Sequence, residues 1–162
     1  MSISHEQRLF ALENLGFLLG KSCHIKDRLL DQHLLPEDIT STQAKVLFQI
    51  YHFRFDRPSQ IGKSLNVDNS AITRMLDRLE KKGLLVRLPD PNDRRSIVIE
   101  LTESGIEVVQ RSLPLARCAI DELTQALSEE EIEQLRHCLK KIVTSAIPES
   151  CRDKYLQGPD SE

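Results

Sequence analysis

The chain is poor in aromatic residues. Five Phe, two Tyr and no Trp make up 4% of 162 residues. Sheet-built cores favour aromatic and β-branched side chains, so this scarcity argues against a barrel or sandwich and for helices packed through Leu and Ile. Long apolar runs are missing too. A membrane span needs roughly 20 apolar residues, and the richest run, LGFLLG at 15–20, is short and follows Glu13; no membrane partner is expected. The start MSISHEQRLF has no basic segment followed by an apolar one, so no signal peptide is read there and a cytoplasmic protein is expected. The four cysteines, at 23, 118, 138 and 151, have no paired spacing and read as reduced thiols. The five histidines show no metal-ligand spacing; Cys23-His24 and His137-Cys138 are adjacent pairs that face different ways on a helix. There is no nucleophile elbow, no phosphate loop and no pair of acids in a glycine-framed site. Neither enzyme activity nor a cofactor or metal is expected.

What is present suits one globular unit: hydrophobic content is 40% and charged content 29%, enough for a core and too apolar for disorder. The net charge of −3 argues at first against a nucleic-acid partner, but it is unevenly spread. Between Arg54 and Glu100, ten Lys/Arg face seven Asp/Glu. A basic middle between acidic ends marks a place for an anionic partner.

Residues 6–33 read as one long helix. Leu12, Leu15, Leu19, Leu29 and Leu30 form a stripe, and Phe10, Phe17 and Leu18 spread onto other faces. A helix apolar on several faces is buried on several faces, which in a small chain calls for a second subunit or a central place in a monomer. Pro36 ends it. Thr40-Ser-Thr-Gln43 is a capping box for a helix to about Phe53, with Ala44, Leu47, Phe48 and Tyr51 inward. Pro58 suits the first turn of a short helix ending near Leu65. Asp68 is an N-cap for a helix over 69–82, and Gly83 a stop. Two strands, 85–88 and 97–101, flank a proline-rich turn. A helix from Thr102-Glu-Ser-Gly runs to about Leu127 with a kink expected at Pro114, and Ser128-Glu-Glu-Glu131 caps the last helix, which Pro148 ends.

Short helix, turn, helix with a polar outer face, hairpin: this is the pattern of a winged helix-turn-helix. Asn69, Ser70, Thr73 and Arg74 lie on the exposed N-terminal half of the second helix, where they can reach base edges and phosphates of a major groove. Asn69 and Ser70 are equally ordinary first-turn residues. In LPDPNDRRSIVIELT, 88–102, prolines and an Asp-Pro-Asn-Asp turn stiffen a finger tipped by Arg94 and Arg95. Arginines so placed suit the strong negative potential of a minor groove, and Asp93 can orient one of them. The plainer reading is a solvated turn with two charges.

The run DNSAITRMLDRLEKKGLLVRLPDPNDRRSIVIELTESG, 68–105, resembles the DNA-binding lobe of the MarR family of bacterial transcriptional regulators. Asp93-Arg94-Arg95, a following strand and the Leu-Thr-x-x-Gly of 101–105 carry most of the likeness, and IKDRLLDQHLLPEDIT, 25–40, extends it along nearly the whole chain. The resemblance implies a mostly α protein with a small β-wing. It divides the single 1–162 domain into a helical dimerisation lobe (6–34 and 103–147), a winged helix-turn-helix DNA-binding lobe (40–102) and a flexible tail (148–162). It also implies a homodimeric repressor on double-stranded pseudo-palindromic DNA, with recognition helices about one helical turn apart. Arg95 matches the family's minor-groove arginine and Asp93 its orienting carboxylate. Thr73 and Arg74 match recognition contacts, and Arg78 and Asp68 match residues that brace or neighbour the wing. A weaker likeness to MarR-like regulators of fimbrial operons implies adhesin or motility genes as targets, beside resistance genes.

Family members are often released from DNA by small aromatic acids such as salicylate. The matching positions are Pro58, Thr73 and Arg87 for one site and Ala71, Met75 and Arg78 for the other. An arginine and a hydroxyl suit a carboxylate, and apolar walls suit a ring. The same residues serve DNA binding and packing without any ligand, so two readings stand. A redox-sensing regulator is a further alternative. The family's sensing cysteine positions hold Gly16 and Lys81 here, Cys23, Cys118 and Cys138 read as small core residues, and Cys151 lies in the tail. The rival of another class is a winged-helix interaction module without DNA. Its mark would be a neutral recognition face, whereas this face carries Arg74, Arg78, Lys81 and Lys82.

Overall fold

The computed structural model describes residues 13–91, 93 and 96–146. Among them are six α-helices and one two-stranded sheet. The first helix, α1, spans Leu15–His33. The single helix expected over 6–33 is interrupted at Asn14. Glu13 is helical, but Asn14 is extended (φ −81°, ψ 111°), and its side-chain oxygen accepts the Phe17 N–H at 2.9 Å. A capping asparagine satisfies a backbone donor that a helix start otherwise leaves unpaired, and it restarts the helix despite the continuous apolar pattern. Residues 6–12 lie outside the described residues.

A 3₁₀ turn, Leu35–Glu37, carries Pro36 and ends at Asp38, whose φ is +52°. Helix α2, Ser41–Phe53, opens on the expected capping box: Thr40 Oγ1 accepts the Gln43 N–H at 3.2 Å, and Gln43 Oε1 accepts the Thr40 N–H at 3.0 Å. Ala44, Val46, Leu47 and Ile50 are buried, while Phe48 and Tyr51 are only half-buried. Helix α3, Pro58–Leu65, starts on its proline and ends at Asn66 in the left-handed region, φ +53°. Helix α4, Asn69–Lys81, follows after a turn, and Asp68 Oδ1 accepts the Ala71 N–H at 2.9 Å. The chain leaves α4 through Lys82 and Gly83, whose φ of +70° is the left-handed step that glycine takes without cost.

Strands β1, Leu85–Pro89, and β2, Ile97–Leu101, pair antiparallel from Leu85↔Leu101 to Pro89↔Ile97. Inward Leu85 and Ile99 are buried, and outward Val86 and Leu88 are exposed, the alternation of a sheet with one covered face. Helix α5, Glu103–Thr124, runs on through Pro114 and ends short of the expected Leu127. Helix α6, Glu129–Ala146, opens on a reciprocal cap, with the Ser128 N–H on Glu131 Oε2 at 2.8 Å and the Glu131 N–H on Ser128 Oγ at 3.3 Å.

The core lies under α4. Leu34, Leu47, Ile61, Ile72, Leu76, Leu79, Leu85, Ile99 and Val109 are almost wholly buried, joining α2, α3, α4, the sheet and α5. The helical end is different. Helix α6 buries no residue in the single chain, and α1 buries only Leu29. Phe17, Leu19, Ile120, Leu139, Ile142 and Val143 are exposed. Cys23, Cys118 and Cys138 are exposed and unpaired rather than core residues. Cys151 and the tail 148–162 lie outside the described residues. Among the described residues, no helix is long and apolar enough to cross a membrane.

Candidate nucleic-acid interface

Helix α4 stands on the core with one face and offers the other to solvent. Ile72, Leu76 and Leu79 are buried, Met75 is half-buried, and Asn69, Ser70, Thr73, Arg74, Arg78 and Lys81 are exposed. The apolar positions recur at helical spacing, so the burial that fixes the helix also fixes which polar residues face outward. Thr73 Oγ1 donates to the Asn69 carbonyl at 2.8 Å. Arg74 and Arg78 form no ion pair among the described residues, leaving two cations on an open face. Lys82 does not join them: its ammonium is drawn to the Asp38 carbonyl and carboxylate, the latter at 2.9 Å.

The wing is fastened to this helix by a residue on β1. Arg87 Nη1 donates to Asp77 Oδ1 at 2.5 Å and to Glu80 Oε2 at 3.2 Å, and Nη2 donates to the Thr73 carbonyl at 3.3 Å. A second fastening holds the wing to the segment before α3. The Ile99 N–H donates to the Asp56 carbonyl at 2.7 Å, and the Arg57 guanidinium donates to the buried carboxylate of Asp90. That hydrogen bond, with the charges of Asp90, Asp56 and Asp93, holds the Arg57 guanidinium above its ordinary value. Beyond Asp90 the turn closes on itself: the Asp90 N–H meets the Ser96 carbonyl at 3.0 Å, the Ser96 N–H meets the Asp93 carbonyl at 2.9 Å, and Ser96 Oγ donates to Asp93 Oδ2 at 2.7 Å. Asp93 therefore sits within the turn, bonded to Ser96 and Asp90. Arg94 and Arg95 themselves lie outside the described residues, and Asp68, matched to a residue that braces or neighbours the wing, serves as the expected N-cap of α4.

Of the six residues matched to aromatic-acid sites, the structure brings two together in a cavity. A notch of about 300 Å³ between the start of α3, α4 and the wing is lined by Arg57, Pro58, Ser59, Asn69, Thr73, Ser96 and Ile97. Pro58 and Thr73 meet there. Arg87 does not line it, because its guanidinium is engaged by Asp77 and Glu80. Ala71, Met75 and Arg78 recur along one face of α4, the first two half-buried and the third exposed. Sequence reasoning missed Arg57, Asp90 and Glu80. Asp90 sits in a Pro-Asp-Pro turn that reads as solvent-exposed, and nothing local signals a partner 33 positions away.

The comparisons agree with this geometry. The MarR family model matches residues 39–97, from just before α2 to the start of β2. Over 130 residues the chain is 41% identical to the multiple antibiotic resistance protein MarR of Escherichia coli K12, covering 77% of this chain and 90% of that one. The chain belongs to the MarR family. It is a MarR-family transcriptional regulator with the family's winged-helix fold. A cysteine-to-serine mutant of E. coli MarR, solved in complex with operator DNA, superposes with a TM-score of 0.71 at 41% identity, over 79% of this chain and 92% of that chain. The S. aureus MepR-DNA complex superposes with a TM-score of 0.68 at 29% identity, over 83% and 97%.

Proposed function

We propose that this MarR-family chain is a homodimeric repressor that reads pseudo-palindromic promoter DNA. The observation that carries the reading is the open face of α4, with Thr73, Arg74 and Arg78 beside a wing braced to the same helix. Arg74 and Thr73, with Asn69 and Ser70, enter the major groove; Arg95, with Arg94, takes the adjacent minor groove, oriented by Asp93. The DNA complexes of the E. coli and S. aureus relatives support this use of the fold. The dimer is supported by the exposed apolar residues of α1, α5 and α6, a surface that a second copy would cover. In this reading the dimerisation lobe is 6–34 with 103–147, and the DNA-binding lobe is 40–102.

Modulation by a small aromatic acid such as salicylate is the finer part of the reading. The notch beside Pro58 and Thr73 supports it. A ligand carboxylate reaching Arg87 would compete with Asp77 and Glu80 for that guanidinium.

The test is selection of bound duplexes from a random pool at roughly physiological salt, where non-specific phosphate binding is weak. The expected result is an enriched palindrome with half-sites about one helical turn apart. Repeating the selection with millimolar salicylate is expected to reduce the enrichment. No enrichment without ligand overturns the operator reading.

A further inference from the structure

Three consecutive residues open the helix-turn-helix, and each has a defined job. Asp56 gives its carbonyl to the Ile99 N–H of β2 at 2.7 Å, Arg57 gives its guanidinium to Asp90, and Pro58 starts α3. On the other side, Asp90 is the last residue before the wing turn, and its N–H and carbonyl bond Ser96 and Asp93 at 3.0 and 3.3 Å. The Asp90 side chain is 2% exposed and that of Arg57 38%. Burying a carboxylate is costly unless it is paired in good geometry, so the pair holds one arrangement rather than several. We propose that Arg57 and Asp90 are positioning residues, a strut that locks the wing turn to the start of α3 and so sets where the fingertip meets DNA. The proposal rests on the DNA-reading role given above.

A rival role for Arg57 is direct phosphate contact, since it lines the notch with Asn69 and Thr73. Charge separates the two. Replacing Asp90 by Asn removes a negative charge beside the DNA-facing surface. Electrostatics alone then tightens binding to every duplex. Loss of a strut instead weakens binding to the operator.

The experiment titrates the full chain with its selected operator and with a scrambled duplex across a range of salt, comparing wild type, Asp90→Asn and Arg57→Gln. The strut predicts that Asp90→Asn weakens operator binding by about tenfold, the lower range of what a charged hydrogen bond is worth. Scrambled-duplex binding should not weaken, and the salt slope should stay at the wild-type value. Operator binding that is unchanged or tighter in Asp90→Asn overturns it. So does a salt slope that falls by about one in Arg57→Gln, the mark of a lost phosphate contact. Amide exchange without DNA is the second arm. Faster exchange at Ser96 and Ile99 in both variants, with α2 unchanged, supports the strut, and wild-type protection there overturns it. If Arg57→Gln does not fold, Arg57→Lys takes its place, since it keeps the charge and loses the planar fork; wild-type protection in that variant overturns the strut. A wild-type chain that prefers no duplex sinks the DNA reading and with it the strut's role in positioning; the exchange arm still judges the link between wing and α3.

Discussion

Gly105 lies against Leu84 so closely that a β-carbon placed on it would stand 1.9 Å from the Leu84 carbonyl oxygen. The contact is part of a joint. The Thr102 hydroxyl donates to the Gly83 carbonyl at 2.6 Å and accepts the Gly105 N–H at 3.0 Å, and the Thr102 N–H meets the Leu84 carbonyl at 3.2 Å. The Leu-Thr-x-x-Gly of 101–105 is thus a tight joint that seats the start of α5 on the backbone between α4 and β1. Gly105→Ala gains up to about 1 kcal/mol of helix propensity but meets backbone that cannot rotate away, and overpacking of this kind costs about 1–3 kcal/mol or more. The overlap outweighs the propensity. Chemical denaturation is expected to show a destabilised variant, and a variant as stable as wild type would mean the joint yields freely.

Arg74 is exposed and unpaired among the described residues, so its removal costs the fold little and its effect falls on DNA. Arg74→Ala is expected to weaken operator binding by about 1–3 kcal/mol if it reads a base, with thermal unfolding within about 0.5 kcal/mol of wild type. Arg95→Ala is expected to weaken binding at least as strongly with the dimer intact. Unchanged affinity in both titrations would remove α4 and the wing as the reading surface.

Ile142 and Val143 on α6 are half-exposed, at 51% and 50%, in a helix that buries nothing in the single chain. Covering such side chains is worth about 25 cal/mol per Å², and a charge there would have to be desolvated on association. Ile142→Glu is therefore expected to shift sedimentation from dimer towards monomer and to abolish tight operator binding. A variant that stays dimeric would place the interface elsewhere.

His52 packs beside the rings of Phe48 and Tyr51, with centroids at 6.0 and 5.0 Å. Burial, and then the charge of Arg54, lower its pKa below the ordinary 6.5. The folded chain thus takes up this proton less readily than the unfolded one. Its contribution is intact above 6.5 and is lost as pH falls from there through the lowered folded value. The urea midpoint is expected to drop between about pH 7.5 and 5.5 by more in wild type than in His52→Gln. Parallel pH profiles would show that His52 is not a source of acid sensitivity.

Much of this protein is local, and local chemistry is legible in a linear chain. The Thr40 box, Pro58, Asp68, Gly83 and the Ser128 box act on neighbours within a few residues, so they placed the helix ends almost where the structure has them. The same periodicity that buries Ile72 and Leu76 turns Thr73, Arg74 and Arg78 outward, so the polar outer face of α4 is legible from spacing alone. Tertiary structure decided what depends on distant partners. Arg87 is matched in the sequence to an aromatic-acid site, and only the fold brings Asp77 and Glu80 within reach of its guanidinium across the α4–β1 turn. Asp90 passed for a solvated turn residue until folding buried it against Arg57. The break at Asn14 turned on one side-chain hydrogen bond competing with a long apolar pattern. Caps and periodicity are written within a few positions along the chain, whereas ion pairs across 7 to 33 positions exist only once the core has brought their elements together.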